Sequence, residues 1–368
     1  MDIFTAILKE NTEYIREHFL SHENDVKMTG NRLNNPIIYA SSLNKLNIVK
    51  LLIELGANVN NYTDRNSKSA LLMVSQQGYL EIVKLLIENG ADIHKCNSVG
   101  ASPLLIASQN GYLEIAKILI ENGADIHKCI NSGASPLFIV SQNGHLEVAK
   151  LLIENGADIH KCINSGASPL YIASQNGHLE VAKILIENGA DIHKCFDSTT
   201  PLNIASQRGH LEIVKLLIEN GADVNQCRYG ASPLYMASRF GCPEIVKFLI
   251  ENGADIHKCN SVDASPLFIA SQMGHLEIVK LLIENGADVH KYRDTGVSPL
   301  FIALQKEHTE IVKVLRHYEE KHRKLNVCYN KKITHDTIDL YEILIEKIGE
   351  RTLVKNIIDM KYQIEYYD

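Results

Sequence analysis

Residues 135–162 read SPLFIVSQNGHLEVAKLLIENGADIHKC, and residues 168–195 read SPLYIASQNGHLEVAKILIENGADIHKC. Two stretches this alike, one 33-residue step apart, are a tandem repeat, and self-similarity at a fixed period decides the architecture. The proline of the Ser-Pro-Leu step marks each copy. It falls at Pro36, Pro103, Pro136, Pro169, Pro201, Pro233, Pro266 and Pro299; Ala70 holds the place once, and Ile3 holds it in a degenerate first copy. The steps are 33 or 34 residues, then 32 twice, then 33 twice, which gives ten repeats over roughly residues 1–325.

Each repeat reads as two short helices and a turn. Ser168 is a good N-cap, and Pro169 sits at the first helical position, where its missing N–H costs nothing. Leu170 and Ala173 share a face. Gly177 ends the helix as a left-handed cap residue. In the second helix Leu179, Ala182, Leu185 and Ile186 form the expected apolar stripe, with Glu180, Lys183 and Glu187 in water. Gly189 stops it, and ADIHKC opens a polar turn of extended character. One such pair cannot bury its stripe, but a stack of pairs buries a continuous core.

The 368 residues are 45% hydrophobic and 22% charged, which argues against disorder. Tryptophan is absent and aromatics are 6%, so the core is aliphatic. The net charge of −7 has the wrong sign for a protein that works on a phosphate backbone. It is also a property of the repeat: Glu180, Glu187 and Asp191 against Lys183 and Lys194 leave each full copy at −1. No apolar run is long enough for a transmembrane helix, and the charged N-terminus lacks the apolar stretch of a secretory signal.

The order Ser/Thr-Pro-Leu, Ala-Ser, Gly-His-Leu-Glu and Gly-Ala-Asp-Val-Asn, at this period, resembles the ankyrin repeat family. The resemblance implies an all-α solenoid of stacked helix pairs with projecting β-turn or hairpin loops. It predicts a degenerate N-terminal capping repeat over 1–26, nine further repeats over 27–325 with the last one degenerate, and a C-terminal helical tail over 326–368. In the tail, Ile338, Tyr341, Leu344, Ile345 and Ile348 make one amphipathic helix; Leu353, Val354, Ile357 and Ile358 make another. The chain departs from the family pattern in two columns. The histidine after Pro-Leu is replaced by Leu105, Phe138, Tyr171, Asn203, Tyr235, Phe268 and Phe301. The asparagine of Asp-Val-Asn survives at Asn60 and Asn225 but is His94, His127, His160, His193, His257 and His290 elsewhere. Turns absorb the length changes: one residue is added near Asn66–Lys68, one is lost at Phe196–Thr199 and one at Arg228–Gly230.

Two ladders invite a chemical reading. Cys96, Cys129, Cys162, Cys195, Cys227 and Cys259 recur once per repeat, five of them two residues after a histidine. Stacked helical units sit roughly 10 Å apart, too far for a disulfide, and one His-Cys pair supplies at most half a zinc site. The ladder reads as a turn residue copied by duplication, with no metal and no cofactor, and unpaired thiols fit a reducing compartment. His145, His178, His210 and His275 begin second helices, where the helix dipole favours a neutral imidazole.

Catalytic motifs are missing: there is no phosphate-binding glycine loop, HExxH, GxSxG or kinase signature. No enzyme is expected, and no catalytic residue is assigned. The basic cluster Arg316, Lys321, Arg323, Lys324, Lys331 and Lys332 is interleaved with Glu319 and Glu320 and reads as a solvated array end, not a nucleic-acid site.

What remains is surface. Family members bind partners on the concave side, built of turn tips and first helices. From 97 to 176 those columns are monotonous. From 196 onward Phe196, Asp197, Arg208, Arg228, Tyr229, Tyr235, Arg239, Phe240 and Met273 appear. Residues of these types are enriched at interfaces, with drift among duplicated copies as the competing account. The expected function is a non-catalytic scaffold for another protein. The chain is expected to be monomeric by itself, without nucleic acid or membrane insertion, and intracellular, in the cytoplasm or in a host cytosol if delivered or viral. The alternative is a ubiquitin-ligase substrate adaptor whose tail docks the ligase.

Overall fold

The computed structural model describes residues 2–22, 35–63, 67–227, 231–291, 293 and 295–326, with side chains through residue 320. Among them run twenty helices in ten pairs and no β-strand, only the isolated bridges Tyr62–Ser69 and Phe196–Thr199. The expected tail helices, and the 26/27 boundary, lie outside the described residues.

The repeat marked by Pro169 shows how sequence becomes structure. Ser168 Oγ accepts the Tyr171 N–H at 3.1 Å, which starts the helix Pro169–Asn176. Gly177 ends it at φ +81°, a conformation that a side chain disfavours. The second helix, Leu179–Glu187, follows at once. Its buried residues are Val181, Ala182 and Leu185; Leu179 and Ile186 are half-buried. This shifts the expected stripe. At 3.6 residues per turn, Leu179 and Ile186 lie roughly 100° round from the centre of the buried face, at its flank.

The first helix is enclosed on nearly every side: Pro169, Leu170, Tyr171, Ala173 and Ser174 are all buried. It packs on the first helices before and after it and on its own second helix, and neighbouring second helices also meet. The core is mainly aliphatic, as the composition predicts, but one column brings Phe138, Tyr171, Tyr235 and Phe268 into it.

Neighbouring repeats are also joined by hydrogen bonds. The turn tips link through backbone, with Asn131 N–H donating to Val99 O at 3.1 Å and Asn164 N–H to Ser132 O at 2.9 Å. Each histidine that precedes a second helix reaches back one repeat. His145 Nε2 lies 3.0 Å from Gln109 O, His178 Nε2 3.0 Å from Gln142 O and His210 Nε2 3.1 Å from Gln175 O. A carbonyl accepts, so Nε2 carries the hydrogen. The same rings lie over the glycines that end the preceding first helices: a Cβ added to Gly144 would sit 2.5 Å from the His178 ring.

The described chain forms two compact bodies. Met1–Val224 holds seven helix pairs, and Asn225–Asp368 holds three. The division falls within the 27–325 block. In the second body His275 and His308 repeat the contact, each 3.1 Å from the carbonyl of Arg239 and Gln272. The last first helix, Pro299–Gln305, is followed not by glycine but by Glu307 at φ +60°. The last second helix, Thr309–Asn326, runs for 18 residues instead of nine, continuing past Leu315, where the repeat pattern stops. Its Glu319 lies 3.9 Å from His290 Nδ1.

Candidate functional site

In the first body, turn tips and first helices enclose an apolar groove of about 350 Å³. Ile130, Ile163 and Phe196 project from successive turns, Phe138 and Tyr171 form the floor, and Gln142 and Gln175 stand at the rim. Phe196 meets Tyr171 edge to face, with ring centroids 5.1 Å apart. The shortened turn puts it there. Phe196 and Thr199 exchange backbone hydrogen bonds at 3.0 and 2.8 Å, and Asp197 and Ser198 between them take φ of +44° and +64°. This is a two-residue hairpin turn of the type that usually calls for Asn-Gly. Asp197 and Arg208 are exposed near the groove. Burial pushes the Tyr171 phenol up; Arg208 draws it back, and Asp197 adds to the rise.

This groove lies mostly in the half whose columns read as monotonous, and only Phe196 of it was singled out. Its signal was nevertheless present: an aliphatic residue at each turn tip, and aromatic rings in the column after Pro-Leu.

The second body carries a different face. Tyr235 is buried, packing inward, and its hydroxyl accepts from Asn260 Nδ2 at 3.1 Å. Arg239, one helical turn on, is exposed, with its guanidinium 5.5 Å from the Phe240 ring centroid. Phe240 is 46% exposed and Met273, at the same place one repeat later, 49%. Arg293 lies 5.8 Å from the Phe268 ring, and its Nε donates to Val262 O at 3.3 Å. Burial pushes the Tyr235 phenol up, and both Arg239 and Arg293 oppose that rise. Phe196 and Tyr235 thus serve the packing as well as the surface. Arg228 and Tyr229 lie outside the described residues.

The cysteine ladder is local. The Sγ atoms of Cys96, Cys129, Cys162, Cys195 and Cys259 each lie 3.3–3.4 Å from the carbonyl of the histidine two residues earlier. Burial pushes the thiols of Cys96, Cys129, Cys162 and Cys259 up, away from thiolate reactivity. Among the described residues, no three His, Cys, Asp or Glu side chains gather where a metal could be held. No helix among them is long and apolar enough to cross a membrane.

The family model for three consecutive ankyrin repeats matches residues 60–129, 104–196, 191–260 and 255–326, and the model for a single ankyrin repeat matches 32–65. The chain is an ankyrin-repeat protein. A crystal structure of the human ASB11 ankyrin repeat domain is similar, with a TM-score of 0.56 and 30% sequence identity; the match covers 59% of this chain and 98% of that one. No curated protein matches the sequence. Ankyrin repeats bind other proteins, and the chain is a solenoid of that kind.

The surviving ankyrin asparagines bridge neighbours. Asn60 donates to Gly90 O at 3.0 Å and accepts from Asp92 N–H at 2.7 Å; Asn225 does the same with Gly253 and Asp255 at 3.1 and 2.7 Å. In the histidine copies, among the described residues, that bridge is lost and the local bond stays: the aspartate of Asp-x-His accepts the histidine N–H at 2.8–2.9 Å, as Asp125 does for His127 and as Asn58 does for Asn60 at 2.9 Å. That bond closes the turn within its own repeat.

Proposed function

We propose that this ankyrin array is a non-catalytic scaffold that holds a protein partner along the face made by turn tips and first helices. The observation that carries this reading is the 350 Å³ groove, lined by Ile130, Phe138, Ile163, Tyr171 and Phe196 and left uncovered. An apolar concavity of that kind on a surface otherwise rich in charge marks a binding site. Phe196, Asp197 and Arg208 serve in the first body, and Tyr235, Arg239, Phe240 and Met273 in the second. Arg228 and Tyr229 belong to the same proposal by sequence. The half-buried turn cysteines form no disulfide among the described residues, which supports an intracellular setting. The ligase-adaptor alternative rests on residues 326–368, and nothing among the described residues favours it.

Photo-crosslinkers at Ile163 and at Arg239, in the full chain in its native lysate, test the reading. One at Lys183, on the exposed side of a second helix, serves as the control. The expected result is a shared protein adduct from the first two positions and not from the third. Equal labelling from all three positions overturns it. Recovery of cullin-linked components by the full chain but not by a chain ending at 325 would establish the adaptor.

A further inference from the structure

The second body's face has features that a purely apolar contact would not need. Tyr235 and Arg239 lie one helical turn apart on Pro233–Phe240, so their side chains are neighbours. The Tyr235 oxygen already accepts a hydrogen from Asn260, so its own hydrogen remains to be donated. Arg239 makes no ion pair among the described residues and rests on the exposed Phe240 ring. Arg293 brings a second guanidinium, positioned by the Val262 carbonyl and the Phe268 ring. The two residues that end each first helix are Arg239-Phe240, Gln272-Met273 and Gln305-Lys306, with two cations and no acid, and the turn tips beside them add Arg293 and the exposed Asp263. The chain as a whole is acidic, so this cationic, apolar face stands against its background.

We propose that this face, taking the scaffold reading as its basis, recognises an extended peptide segment of a partner through one acidic residue and one apolar residue. The carboxylate is held by the Arg239 guanidinium and the Tyr235 hydroxyl, in the field of Arg293, and the apolar side chain lies on Phe240 and Met273. A guanidinium binds a carboxylate through paired N–H donors, which fixes its orientation. Both guanidiniums reach the Tyr235 oxygen electrostatically, because each opposes the rise that burial imposes on its pKa. The spacing follows from the stack. Successive repeats are about 10 Å apart, and an extended chain advances about 3.3 Å per residue. The acid and the apolar anchor over Met273 are therefore three positions apart.

A phage-displayed library of random dodecapeptides, selected on the full chain, tests this. Enriched sequences are expected to carry Asp or Glu three positions from a bulky apolar residue. The synthetic consensus peptide, followed by fluorescence anisotropy, is expected to lose affinity by about tenfold or more with Arg239→Ala, and by as much when its own acid becomes the amide. The amide peptide is then expected to be insensitive to Arg239→Ala. Tyr235→Phe keeps the ring and is expected to lose affinity severalfold, while Lys183→Ala changes nothing. Enriched peptides without an acid, whose binding falls with Ile163→Ser but not with Arg239→Ala, overturn this proposal and leave the scaffold reading standing. Displacement of the consensus peptide by a single-stranded RNA of random sequence, at equal concentration, overturns it in favour of a general polyanion surface. Failure of any peptide to enrich overturns both.

Discussion

Tyr171 and Tyr235 stand at the same place in their repeats, three residues after the capping serine, and live in opposite surroundings. Tyr171 meets Phe196 edge to face under a groove whose lining carries no ionised side chain. Tyr235 is hydrogen-bonded to Asn260 and faces two guanidiniums. The backbone around them is the same: Ser168 and Ser232 each accept the tyrosine N–H at 3.1 Å, and Gly177 and Gly241 each close the helix in the left-handed conformation. The scaffold therefore uses a fixed set of positions for folding and leaves the turn tips and helix ends to decide what the face is for. Identity of fold between the two bodies says nothing about identity of ligand.

The largest expected effect tests whether the two faces rest on the same floor. Phe138 and Phe268 are buried in the same column, and replacing either with alanine should cost about 3–5 kcal/mol in urea unfolding followed by circular dichroism. A loss below about 1 kcal/mol for one of them would show that the two floors are not equivalent. A smaller effect is expected where histidine covers glycine. Gly144→Ala in the first body and Gly241→Ala in the second meet both a positive φ and an imidazole ring, whereas Gly156→Ala meets a positive φ and open space. The backbone penalty alone is roughly 1–2 kcal/mol, so the two covered glycines should each lose more than Gly156 does. Equal losses at all three would remove the ring contact from the account of stacking. The smallest effect separates the tyrosines themselves. Tyr235→Phe gives up the bond from Asn260 and should cost about 0.5–1.5 kcal/mol, while Tyr171→Phe, whose hydroxyl has no such partner among the described residues, should cost less. The reverse order would mean that the phenol of Tyr171 is the one the fold depends on.

The fold was legible because it is local and repeated. Ser168, Pro169, Gly177 and Gly189 announce one helix pair, and the period announces the stack. The stripe of the second helix was misplaced by two residues, because a helix buried between neighbours has two partly apolar flanks and the sequence does not say which one is deepest. The histidines at second-helix starts were legible as structural, but not as contacts to the previous repeat; that contact spans 35 or 36 residues and depends on how copies register. The groove was overlooked for the same reason. Ile130, Ile163 and Phe196 look like separate turn residues until stacking sets them side by side. The tight turn at Asp197–Ser198 was visible only as a missing residue, and its consequence, the inward placement of Phe196, needed the backbone.

The histidine column gives the array a direction. The copies marked by Pro136, Pro169, Pro201 and Pro266 carry both a socket, the bare glycine that ends the first helix, and a plug, the imidazole that fills the socket of the copy before; Tyr112 plugs Gly78 in the same way. A duplicated copy brings both halves of the joint with it, so the gene can lengthen by whole periods without inventing a new interface. His308 is the last such plug, and Glu307 occupies the left-handed position where the next socket would be. Asn44 holds the same left-handed position after Pro36–Ser42, and the copy beyond it stacks nonetheless, so a side chain in the socket changes the joint without ending the array.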